Sequence, residues 1–136
     1  MKLTPQMVEQ IIAQARAEAP NEACGYVAGC GEQAELLIPM RNVDASAEHY
    51  SFDPKEQFAA VRQARAAGLD LIAVYHSHPA TPPRMSQEDI RLANDSSVVY
   101  LIYSLAEQRL RGFRVSRDKV VSETNVEVTA AVSGAT

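Results

Sequence analysis

Apolar side chains recur three and four residues apart near the start of the chain. Met7, Val8, Ile11, Ile12, Ala15 and Ala19 would share one face of a helix. Thr4 followed by Pro5 supplies its start: a capping hydroxyl, then a residue whose missing N–H costs nothing at the first helical position. Pro20-Asn21 ends it. Residues 24–29 then read as a short strand entering a glycine-marked turn at Gly29-Cys30-Gly31. Residues 35–40 read as a second strand, paired with the first as a hairpin. A weaker strand is predicted over 49–52. Asp53-Pro54 repeats the cap-then-proline signal of a helix, with Phe58, Ala60, Val61 and Ala64 as its buried side and Gly68 as its stop.

Leu71, Ile72, Ala73, Val74 and Tyr75 are apolar without alternation, the pattern of a strand, 70–76, buried on both faces. The segment 79–85 holds three prolines and cannot pair regularly. Ser86 opens a short helix running to about Asn94, and strands are predicted at 98–105, 110–115 and 120–128. No repeat and no linker divides the pattern. One domain is expected over residues 1–128, with a frayed tail from Thr129 to Thr136.

Composition narrows the partners. The 136 residues are 46% hydrophobic and 22% charged, ordinary for a folded domain with a buried core. Thirteen basic and seventeen acidic side chains give a net charge of −4 with no basic stripe, which argues against nucleic acid. No apolar run approaches the ~18 residues of a membrane span, and none at the N-terminus forms a signal core. A soluble, cytoplasmic protein without a membrane partner is expected. Cys24 and Cys30 fit no zinc-ribbon spacing and are expected as free thiols.

The chemistry concentrates at His76-Ser77-His78-Pro79, where the apolar strand ends. Residues two apart in a strand face the same way, so His76 and His78 present two imidazoles about 6–7 Å apart at Cα. Both rings can lean onto one ion with bonds of about 2.0–2.1 Å. Asp89 can return as a third, oxygen ligand, leaving a fourth tetrahedral position for water, the pattern of a catalytic zinc site. Ser86 and Asp89 have another explanation as a capping box, and the two readings are compatible, since a cap orients a first-turn carboxylate. Glu22, taken alone, is a surface acid. It gains interest only where a zinc site needs a carboxylate to carry protons. His49 lacks a partner at ligand spacing and is expected in an ordinary hydrogen bond.

Taken together, Glu22 before a glycine-containing strand, His76-x-His78-Pro79, and Ser86-x-x-Asp89 resemble the signature of the JAMM (MPN-plus) metalloproteases. That resemblance implies a single α/β (α+β) domain. Its central sheet would be mostly antiparallel and partly curled, flanked by helices, with the zinc site at the end of a central strand. It implies one Zn2+ per chain on His76, His78 and Asp89. Glu22 would hold and deprotonate the catalytic water and then act as acid, and Ser86 would hydrogen-bond the oxyanion. Asp89 is followed too closely by the next strand for the insertions with which eukaryotic deubiquitinases grip ubiquitin chains. The compact form is similar to stand-alone bacterial and archaeal members, which implies a ubiquitin-like sulfur-carrier protein with a Gly-Gly tail as partner and substrate. An amino acid such as cysteine would be released. Such a tail would lie extended along a strand edge, with 79–85 as one wall and Arg84 available for a carbonyl or carboxylate. A homodimer through the apolar first helix is also considered.

Three rivals stand beside this reading. A zinc deaminase needs H-x-E and a later P-C-x-x-C, both missing here. A cysteine peptidase built on Cys24 has nothing to orient a histidine toward it. A weakly catalytic zinc-containing module that binds ubiquitin-like tails is separated from an enzyme only by turnover.

Overall fold

The structure is a computed structural model that describes residues 1–129. Along the chain come β1 (Lys2–Leu3), α1 (Pro5–Glu18), β2 (Cys24–Cys30), β3 (Gln33–Met40), α2 (Pro54–Ala66), β4 (Asp70–His78), α3 (Gln87–Leu92), β5 (Val99–Ser104), β6 (Arg109–Val115), β7 (Val121–Thr124) and β8 (Glu127–Val128). All strands join one sheet in the order β7-β6-β5-β4-β2-β3-β1-β8. Pairings β2/β3, β2/β4, β5/β6 and β6/β7 are antiparallel, whereas β4/β5, β1/β3 and β1/β8 are parallel. β7 and β8 sit at opposite edges yet are separated only by Asn125 and Val126. The sheet therefore curls until its two edges approach.

The apolar run of β4 is explained by its place between β2 and β5, with helices on both faces. On one face α1 lays Met7, Ile11 and Ala15 against Val27, Ala73, Tyr75, Leu101 and Tyr103. The apolar side of α1 considered for a homodimer is thus buried within the chain. On the other face α2 sets Ala60 and Ala64 on Cys24, Ala28, Ile38 and Met40, small side chains that let helix and sheet approach closely. Ala93, Val98, Tyr100 and Val115 form a third cluster near α3. Both long helices start as their sequences predict. Thr4 Oγ1 accepts from the Met7 amide at 3.2 Å, and Asp53 Oδ1 from the Lys55 amide at 3.1 Å, each followed by proline.

Side chains alternate along β4, and Tyr75 sets the phase. Its ring lies on the α1 face, where its hydroxyl donates to Gln14 Oε1 at 2.6 Å. Gly25 is its register partner on β2, and a Cβ there would run into the Tyr75 ring. With Tyr75 on that face, His76 turns to the other.

Three expectations are corrected. Residues 49–52 form no strand, because side-chain hydrogen bonds organise them as a loop. Phe58 is 66% exposed, since Ala60 and Ala64 with Gln57 define the inward side of α2 and Phe58 falls beside it. The predicted 120–128 strand breaks at Asn125 into β7 and β8, which pair with different neighbours. From residue 130 the expected frayed tail lies outside the described residues.

Candidate active site

Asp89 reaches the end of β4 because Ser86 starts α3 where it does. Ser86 Oγ accepts from the Asp89 amide at 3.0 Å, and Asp89 Oδ2 accepts from the Ser86 amide at 3.0 Å. The capping box aims the carboxylate at both histidines. His76 Nε2 stands 3.3 Å from Asp89 Oδ1, His78 Nε2 3.0 Å from Oδ2, and the two Nε2 atoms 3.1 Å apart. All three residues are buried.

The hydrogen bonds fix where the lone pairs point. His78 Nδ1 is 2.9 Å from the Pro82 carbonyl, which can only accept, so Nδ1 carries the hydrogen and the neutral ring offers a lone pair at Nε2. That lone pair faces a carboxylate oxygen and a second imidazole. A shared proton or a bound cation would satisfy such a convergence. A tetrahedron with bonds of about 2.0–2.1 Å has edges of about 3.3–3.4 Å, close to these separations. Two imidazoles and one carboxylate are a donor set that fits zinc.

Charge follows the same geometry. Burial works against a charged His78, but hydrogen bonds to Asp89 and Pro82, with the charges of Asp89 and Glu22, outweigh it and raise its pKa. In His76 burial wins over the pull of Asp89, and the pKa falls. Asp89 is opposed by burial, yet the two imidazoles and the Ser86 amide hold it well below the usual carboxylate range.

Glu22 lies two residues before β2, and its carboxyl feels the charges of His78 and Asp89. The Ser77 amide donates to the Ala23 carbonyl at 2.9 Å, and the Ala23 amide to Ser77 Oγ at 2.8 Å, so the chain just after Glu22 is clipped to β4 between the two histidines. Its backbone is held by the 42–52 loop: the Glu22 amide donates to the Ser46 carbonyl at 2.8 Å, and its carbonyl accepts from Asn42 Nδ2 at 3.1 Å. Far from a solvated acid, the residue is 2% exposed, and Oε1 has no hydrogen-bond partner. Burial pushes the carboxyl up to about 8, opposed by His78 and assisted by Asp89 and Glu48. Ser86 is exposed at the rim. Its hydroxyl accepts in the cap and keeps its own hydrogen to donate.

The remaining residues named from sequence separate cleanly. His49 Nδ1 lies 2.9 Å from Asp44 Oδ2, an ordinary hydrogen-bonded histidine. Arg84 is exposed on the 79–85 segment. Both thiols are free; Cys24 is buried and burial pushes it up to about 12, so it holds no ready thiolate, while Cys30 is exposed. β4 is paired with β5 up to His78, whereas its pairing with β2 ends at His76, with one further bond from the Ser77 amide to the Ala23 carbonyl. Tyr50 carries no site signal in the sequence beyond the predicted 49–52 strand, yet it stacks on His76 with ring centroids 4.8 Å apart. Asn42, the hub of the same loop, carries no sequence signal. A cavity of about 540 Å³ opens beside the triad, walled by Tyr26, Tyr50, Phe52 and Tyr100 and bordered by His76 and Asp89.

Residues 4–116 match the family model for prokaryotic homologs of the JAB domain. The chain belongs to that family. The JAMM resemblance of its motifs is to this same group. Among curated relatives, the CysO-cysteine peptidase of Mycobacterium tuberculosis is 34% identical over 127 residues, covering 90% of this chain and 86% of that one. A probable TtuB-protein conjugate cleaving protease of Thermus thermophilus is 38% identical over 98 residues, covering 71% and 65%. Among solved structures, protein DSY2949 of Desulfitobacterium hafniense superposes with a TM-score of 0.87 at 41% identity, covering 98% of this chain and 95% of that one. The mixed α/β domain, with its curled, mostly antiparallel sheet between helices, is thus the JAB fold.

Proposed function

We propose that this chain is a zinc-dependent peptidase or isopeptidase that cuts after the Gly-Gly tail of a ubiquitin-like sulfur-carrier protein. That it is a JAMM-type peptidase follows from its family and the named activities of its relatives. The metal, the roles of Glu22 and Ser86 and the substrate are the proposal. One observation carries it: the ligand atoms of His76, His78 and Asp89 lie within 4.8 Å of one another, and Glu22 is buried with Oε1 unpartnered.

His76, His78 and Asp89 would hold the zinc. When bound there, the ion supplies acidity to a water, bringing its pKa to about 7, and polarises the substrate carbonyl. The chain's own groups do the rest. Glu22, anchored by Asn42 and Ser46, accepts the proton of the attacking water and returns it to the leaving amine. Ser86 donates its free hydroxyl hydrogen to the carbonyl oxygen as negative charge develops. The extended tail would run past the end of β4, between the 79–86 segment and the aromatic cavity wall. Glycines at the cut site suit that crowded approach, because they bring no side chain against the imidazoles. The substrate class is supported by the two relatives, one named for a carrier–cysteine bond and the other for a carrier–protein conjugate.

The test is cleavage of a purified Gly-Gly-tailed carrier bearing a C-terminal cysteine, read by intact mass. The wild type should release the amino acid. Glu22→Ala should lower turnover by at least the ~10²–10⁴-fold attributed to general acid–base catalysis, with metal content unchanged. Equal substrate binding with no cleavage by either protein would establish a binding module instead.

A further inference from the structure

His76 and His78 are held in different ways. A histidine that ligates a metal ordinarily donates its second ring nitrogen to a carbonyl or carboxylate, which fixes the ring's angle. His78 does this through Nδ1 to the Pro82 carbonyl at 2.9 Å. His76 does not: its Nδ1 is buried without a hydrogen-bond partner. Its ring is held by a face instead. Tyr50 lies against it, with centroids 4.8 Å apart and planes inclined by 29°.

That face is itself well supported. Phe52 packs on Tyr50 at 5.4 Å, and Tyr26 of β2 on Phe52 at 4.9 Å. The Tyr26 hydroxyl accepts from Gln57 Nε2 of α2 at 3.1 Å. The aromatic row therefore runs from a strand and a helix to the imidazole. The loop bearing Tyr50 is pinned at its base by Asn42. Its Nδ2 donates to the carbonyls of Glu22, Ser46 and His49 at 3.1, 3.4 and 3.0 Å, and its Oδ1 accepts from the amides of Asp44 and Ser51 at 3.1 and 3.4 Å. Bonds to residues 49 and 51 fix the backbone on either side of Tyr50.

We propose that Tyr50 is a positioning residue for the metal site: its ring, rather than its hydroxyl, sets the angle at which His76 Nε2 meets His78 and Asp89. The stack stands in for the hydrogen bond that His76 lacks. This inference rests on the metal-site reading above and is testable without turnover.

Cobalt(II) and zinc affinities, from chelator competition, would be compared for wild type, Tyr50→Phe, Tyr50→Leu and Tyr50→Ala, together with the visible spectrum of the cobalt forms. Phenylalanine keeps the stacking face and should retain wild-type affinity and spectrum. Leucine keeps an apolar side chain there without the flat face, and should weaken binding on the order of 10–100-fold, as loss of a ligand's supporting partner does, with an altered cobalt band. Alanine should do at least as much. Leucine retains more of the packing than alanine and keeps the test readable if the alanine variant fails to fold. A folded leucine variant with wild-type affinity and spectrum would overturn the role of Tyr50, as would a phenylalanine variant as impaired as leucine. A wild type that takes up neither metal would overturn the metal site itself, a distinct result.

Discussion

Asp89 Oδ2 closes a helix cap and meets His78 while Oδ1 meets His76, so the carboxylate's direction is decided before any ion arrives. Glu22 has the opposite character: a carboxyl buried with an oxygen unpartnered and a pKa pushed up to about 8 from an ordinary 4.5. In metal-free protein this makes stability depend on pH in a defined direction. Below about 4.5 the group is protonated both folded and unfolded. Between 4.5 and 8 the unfolded chain releases the proton while the folded chain retains it, so folding is disfavoured as pH rises, and the effect levels off above 8. Chelator-treated Glu22→Gln should therefore gain on wild type in urea midpoint across that window, whereas a constant difference would refute the buried-acid reading. The triad was legible in the sequence because its geometry is local: two residues apart on a strand, and a cap three residues long. Glu22 was reached only through family motifs, and Tyr50 not at all, because stacking on His76 depends on how a loop without periodicity folds back.

At the scale of elements, the strongest signals were those with both a start and a period. Thr4-Pro5 and Asp53-Pro54 each mark a helix that begins where predicted. The unalternating run after Asp70 marks the central strand. Elements of two residues, β1 and β8, have no period to read, and they exist through long-range pairing. Phe58 is apolar yet exposed, because alanines make the close contact of α2 with the sheet. The β2–β4 ladder carries a sharper requirement. Gly25 faces the ring of Tyr75, which is anchored to Gln14, so the aromatic cannot withdraw easily. Gly25→Ala should destabilise by about 1–3 kcal/mol through overpacking, measured as a lower urea midpoint with unchanged slope. A neutral result would mean that the two strands part at no cost.

For the molecule as a whole, the ligands come from β4 and α3, which only the folded state brings together. A metal held there stabilises that state by mass action, about 2.7 kcal/mol at a free concentration a hundred times Kd. Adding chelator to zinc-loaded wild type should lower Tm, and the double variant His78→Ala, Asp89→Ala should not respond. Its baseline Tm will also fall, because Asp89 helps cap α3. The response to chelator, rather than the baseline, is what tests the site. An unresponsive wild type would reduce the triad to a buried hydrogen-bonded cluster.

The pairing of β1 with β8 has a further consequence, for the order in which the protein is made. The Met1 ammonium donates to the Asn125 carbonyl at 3.0 Å, across 124 positions of sequence, and Lys2 is in register with Glu127. As the chain leaves the ribosome, the β2–β3 hairpin can pair as soon as it emerges, and β4 can add to it. The edge formed by β1 must wait until residues 127 and 128 have been synthesised. Pairing between such distant segments is the slow part of folding. The residues that meet at the triad all belong to the earlier portion, so the site can assemble during translation, before the sheet acquires its last strand.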